Sequence, residues 1–130
     1  MANELTEGPY TGEFILSEAN GDRSRDNITV ELANAADNGI DAGTVLGMRA
    51  SDGKYLAYDD TATDGTETVA GILYAPTGDL DGGGDVAAVI VNADAEVIGE
   101  KIIGPTGAED DVETGLAALG IKVRGDLDFS

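Results

Sequence analysis

The chain has 130 residues, with 26 acidic and 7 basic side chains, a net charge of −19, and no His, Cys or Trp. That length suits one domain. Missing thiols and imidazoles exclude a disulfide framework, Zn sites of the usual kind, and any Ser/His or Cys/His nucleophile pair.

Residues 1–13 are polar, contain Gly8-Pro9 and Gly12, and show no periodicity, which reads as an extended arm. Phe14-Ile15-Leu16 is a short apolar run, followed by a turn signal at Asn20-Gly21. Ile28, Val30 and Leu32 alternate with Thr29 and Glu31, predicting a half-buried strand. Strands are then predicted at 44–50 and 54–58, joined as a hairpin by Ser51-Asp52-Gly53. A third follows at 68–74, where Gly71 signals a bulge or a close backbone approach. The unbroken apolar run at 86–91 predicts a strand covered on both faces, and residues 96–103 form a further strand. One helix is predicted near the C-terminus. Thr106 and Glu109 have capping-box spacing, Val112, Leu116 and Leu119 share a face, and Gly120 stops it. A last strand at 121–123 precedes a tail that reads as loose. The resulting partition is an arm with strand-forming segments at 1–33, a β domain at 34–124 and the tail at 125–130.

Leu, Ile, Val and Phe sum to 30 of 130, enough to fold, but aromatic residues number only six. A core this poor in rings gains from association with a partner or with further copies of the chain. From Tyr55 to Glu100 there are ten carboxylates and no cation. That stretch reads as a solvated face or as adaptation to high salt. The net charge opposes binding to nucleic acid and to anionic lipid, and no apolar run approaches the ~18 residues of a membrane span. Residues 1–10 also lack the basic start and apolar stretch of an export signal.

The motifs that suggest chemistry each have a plainer reading. Asp79-Leu80-Asp81-Gly82-Gly83-Gly84-Asp85 looks like a Ca²⁺ loop, but the position that needs a bidentate Glu is Ile90, so a solvated glycine turn is preferred. Gly82-Gly83-Gly84 leads into a strand and lacks a Lys, unlike a phosphate cradle. Asp59, Asp60, Asp64 and Glu67 offer carboxylates for glycoside chemistry without the Trp that would hold a sugar. Arg124-Gly125-Asp126 resembles an adhesion tripeptide that arises readily by chance in such a chain. No cofactor or metal is expected, and a binding or structural role remains.

Four segments carry a resemblance: Gly43-Thr44-Val45-Leu46-Gly47, Lys54-Tyr55-Leu56-Ala57-Tyr58-Asp59, Thr63-Asp64-Gly65-Thr66 and Ala70-Gly71-Ile72-Leu73. In this order, with the apolar strand, small helix and closing strand that follow, the chain resembles the head decoration proteins of lambda-type tailed phages over about residues 40–124. The resemblance implies a non-enzymatic virion protein with a mainly β, β-tulip-like α+β fold, one short C-terminal helix and an extended N-terminal arm. It further implies a homotrimer on the outer surface of the expanded head, at three-fold and quasi-three-fold positions, that clamps major capsid protein subunits against packaged DNA.

On this reading the arm, centred on Pro9, Tyr10, Phe14, Ile15 and Leu16, docks on the shell by adding a strand to a partner sheet. The alternative for residues 14–32 is an ordinary hairpin on this chain's own core. Three copies would carry −57, so Lys101, Lys122 and Arg124, which flank predicted strands, are candidates for pairing between subunits. The alternative function is another virion or cell-surface β-module, from a tail, a fibre or a Ca²⁺-dependent surface protein.

Overall fold

The computed structural model describes residues 11–18, 25–32, 40–77 and 84–129. Eight strands run in chain order: β1 (Ile15–Glu18), β2 (Arg25–Leu32), β3 (Val45–Met48), β4 (Tyr55–Ala57), β5 (Val69–Leu73), β6 (Gly84–Val91), β7 (Ala95–Ile98) and β8 (Ile121–Arg124). A 3-10 turn (Gly99–Lys101) follows β7, and helix α1 (Glu109–Ala118) precedes β8. Five strands close a barrel in the order β2-β4-β3-β5-β6, and the other three form a sheet in the order β1-β7-β8. The architecture is therefore mainly β with one helix near the C-terminus.

Alternation explains the barrel. Strand β2 runs antiparallel to β6 from Arg25 opposite Val91 to Leu32 opposite Gly84. Ile28, Val30 and Leu32 turn inward together with Val86, Ala88 and Ile90 and pack with Leu46, Leu73 and Tyr55. Thr29 and Ala87, opposite each other between those positions, are exposed. Of the apolar run in β6, only Ile90 and Val91 are buried, so the expected cover on both faces exists at that end alone. The reason is that no element among the described residues overlies the outer face at Ala87.

The hairpin expected at 44–58 is present, with Leu46 opposite Ala57 and Gly53 at φ 73° in the turn. Strand β5 shows both features signalled by Gly71. The β3–β5 register slips by one residue at Ala70, and a Cβ on Gly71 would lie 3.0 Å from the Val91 carbonyl oxygen. Residues 14–32 form no hairpin, because β1 pairs with β7 while β2 joins β6 in the barrel.

Three expectations near the C-terminus need correction. The strand predicted at 96–103 ends at Ile98, and the chain turns through Gly99, where a Cβ would meet the Asp126 carbonyl oxygen at 2.7 Å. Helix α1 is capped by Ala108 without a side-chain hydrogen bond, not by Thr106. The Glu109 carboxylate instead accepts a hydrogen bond from the Phe129 amide at 2.9 Å. The tail expected to be loose thus seats Phe129, 6% exposed, in the larger apolar cluster. That cluster joins Phe14, Val45, Ile72, Val91, Val97 and Ile121 to the buried helix residues Val112 and Leu116.

Candidate assembly surface

The root of the arm is tied to the body by backbone and ring contacts. The Gly12 amide donates to the Tyr74 carbonyl at 2.8 Å, and the Ile15 amide donates to the Gly12 carbonyl at 3.0 Å. Gly12 sits at φ 67°, where a Cβ would press on the Tyr74 ring at 3.0 Å, so both its conformation and its neighbour require glycine. Phe14 then drops into the larger cluster, 1% exposed. The Arg25 guanidinium lies 4.0 Å from the Tyr74 ring centroid and pairs with Glu18, which raises its pKa.

Of the arm residues singled out by sequence, Phe14 is a core residue of this chain, Ile15 packs against the core, and Leu16 is 54% exposed on β1. Pro9 and Tyr10 lie outside the described residues. Among the described residues strand β1 is an edge of its sheet, since its neighbour there is β7 and the order continues to β8. An apolar side chain on an open strand edge is a ready site for pairing with another chain. Sequence reasoning did not find Gly12, Arg25 and Tyr74. The Gly12 signal was visible, but its ring partner is 62 residues away in sequence and only the fold joins them.

The three cations proposed for subunit contacts have different settings. Lys101 pairs with Glu13 at 3.2 Å, beside the root of the arm. Arg124 pairs with Glu96 at 2.7 Å, and the Ser17 hydroxyl donates to the same carboxylate at 3.0 Å. These contacts, Arg124 first, hold the Glu96 carboxyl below the usual range. Lys122 is exposed in a depression that also contains Glu18, Asp94 and Glu96, with no carboxylate of a described residue within ion-pair distance.

The acidic stretch is organised by local hydrogen bonds. Asp59 accepts from the Thr61 amide and hydroxyl, and Asp64 accepts from the Thr66 amide at 3.1 Å and its hydroxyl at 2.6 Å. Both carboxyls are pushed down by these bonds, the opposite of the raised acid that glycoside cleavage needs. The Thr63–Thr66 turn lies across β3 at Gly47, where a Cβ would meet the Thr66 carbonyl oxygen at 2.5 Å. Gly65, at φ 112°, is similarly pressed on the Met48 carbonyl. This is why the Thr-Asp-Gly-Thr segment and the Gly of strand β3 occur together.

Residues 78–83, which hold most of the candidate Ca²⁺ loop, lie outside the described residues. Among the described residues no group of three carboxylates is placed to hold a metal ion. None of the described residues forms a helix long and apolar enough to cross a membrane.

The barrel, the anchored root and the apolar edge beside it define a structural β-module with a surface suited to assembly. A family model described as bacteriophage lambda head decoration protein D matches residues 4–124 of the 130. The chain belongs to that family, one of structural phage head decoration proteins, and is a component of the virion head. The match extends the resemblance seen at 40–124 back through β1 and β2. No curated protein matches the chain.

Proposed function

We propose that this chain is a cementing protein that binds the outer surface of an expanded icosahedral head as a homotrimer and holds neighbouring major capsid protein subunits against the pressure of packaged DNA. The family match over residues 4–124 carries this reading. The geometry of the root supports it. Phe14, buried in the core, anchors the arm with Ile15 packed beside it, so that Pro9, Tyr10 and Leu16 are the residues offered to the shell. Force on the arm is then transmitted through Phe14 to the helix-covered core. Three arms on one trimer make attachment multivalent, so that each contact can be weak while the whole holds. Lys101 and Arg124 are engaged within the chain, which leaves Lys122, of these three, for a neighbouring subunit's carboxylates.

The test is co-sedimentation with expanded and unexpanded heads of the source phage. Saturable binding to expanded heads alone, at one copy per major capsid subunit, is expected, and absence of binding to both would discard the reading. Two deletions then locate the arm. Removing residues 1–10 abolishes head binding and leaves the melting transition intact, whereas removing residues 1–16 also takes Phe14 from the core and lowers the melting temperature. Full binding by the shorter deletion would overturn the arm assignment.

A further inference from the structure

On the face made by α1 and the loop after β4, a groove is lined by Tyr58, Asp60, Glu67, Val69, Asp111 and Gly115. Three observations set it apart from an ordinary acidic surface. Tyr58 is only 6% exposed, and its hydroxyl makes no hydrogen bond to any described residue. Among the described residues no completely enclosed side-chain oxygen or nitrogen lacks a partner, so this hydroxyl opens to the groove and not into the core. Burial first, and then the charges of Asp111, Asp60, Asp59 and Glu67, push the Tyr58 phenol above its ordinary value.

Among the described residues the chain itself does not answer this charge. It has no cation between Tyr55 and Glu100. Arg25, Arg49, Lys54, Lys101 and Arg124 are paired elsewhere, with Glu18, Glu31 and Asp52, Asp85, Glu13 and Glu96 respectively. Lys122 lies in the depression beside Glu96. Asp60, Glu67 and Asp111 line the groove with Tyr58, and among the described residues no group of three carboxylates is placed to hold a metal ion. A spread of acceptors above an apolar floor at Val69 fits an aliphatic stem with a charged, multi-donor head.

We infer that this groove is a docking site for a lysine or arginine side chain carried by a partner protein, with the stem on Val69, the head among Asp60, Glu67 and Asp111, and one donor on the Tyr58 hydroxyl. The site goes beyond the arm contact, lies on different elements, and is independent of whether the arm binds the head.

The test uses the full chain with tyrosine rings labelled for NMR. The probe is an acetylated, amidated tripeptide with one central arginine, and its control carries the uncharged isostere citrulline. A saturable shift of the Tyr58 ring resonances with the arginine peptide alone is expected. The double variant Asp60→Asn, Asp111→Asn should weaken it about tenfold, and Tyr58→Phe should weaken it less. Equal responses to both peptides, or no saturable response, would overturn the inference. Ca²⁺ shifting the same resonances more tightly than the peptide would overturn it in favour of a metal site. The peptide comparison on the unaltered protein decides the matter even where a variant does not fold.

Discussion

Strands β3, β5 and β6 each send one residue into the barrel and its neighbour into the larger cluster: Leu46 and Val45, Leu73 and Ile72, Ile90 and Val91. The barrel interior is filled by aliphatic side chains from the strands that enclose it, with Tyr55 packed at its margin. The larger cluster draws on distant parts of the chain and takes the buried rings Phe14, Tyr58 and Phe129. The difference separates two tasks. Barrel closure shapes the body, while the larger cluster clasps both the root of the arm and the tail. Glycine makes room there, since a Cβ on Gly104 would lie 2.7 Å from the Phe129 ring.

Substitutions at the two clusters test that division. Phe14→Ala should have the largest effect, about 3–5 kcal/mol of stability, from a lost buried ring and the cavity it leaves. Denaturant unfolding measures it, and an unchanged midpoint would show that the arm root is not part of the core. Leu73→Ala, inside the barrel, should cost about 2–5 kcal/mol. Head binding by the folded fraction should survive Leu73→Ala and fail in Phe14→Ala, because only the second loosens the arm.

Gly115→Ala comes next. Its new methyl would lie 2.6 Å from the Val69 Cβ, so the helix must back away from β5. The expected loss is about 1–3 kcal/mol by overpacking, despite the better helix propensity of alanine. A gain in stability would mean that α1 is not held as closely to the barrel as described. Thr66→Val keeps the shape of a buried side chain and removes its hydroxyl bond to Asp64. It should lower the melting temperature by roughly 3–5 °C, the scale of one hydrogen bond.

The smallest effect concerns surface charge. Arg49 lowers Asp52 to about 2, and hydrogen bonds from Thr61, Thr66 and Arg124 lower Asp59, Asp64 and Glu96. Each folded pKa lies below its unfolded value, so these contributions are present above pH ~4 and are lost as pH falls toward ~2. Melting in 1 M NaCl, where screening suppresses repulsion among the acid excess, should show that decline between pH 4 and 2. A melting temperature that rises through the same window would refute the assignment.

Much of the body was legible along the chain. Period-two alternation marked β2, Asp-Gly marked the turn of the hairpin, and Val112 with Leu116 marked the buried helix face. Those signals are local, so neighbours in sequence carry them. The same local logic misread Glu109, whose spacing from Thr106 fits a capping box but whose carboxylate holds the Phe129 amide from 20 residues away. It also read the apolar run of β6 as doubly covered, because a run of small aliphatic residues does not reveal whether a second layer exists. Tyr58 stood in the sequence as one of six aromatic residues, and nothing local distinguished it from a core ring.

By itself the sequence determined the class of fold, the acid excess, the lack of thiol and imidazole chemistry, and the order of segments that places the chain among head decoration proteins. Only the tertiary structure decided that β1 and β2 part into different sheets, that Phe14 and Phe129 meet in one cluster, and that Asp60, Glu67 and Asp111 line one groove with Tyr58. The physical reason is distance along the chain. Propensity and periodicity act within a few residues, whereas pairing, closure and charge gathering depend on which distant surfaces pack together.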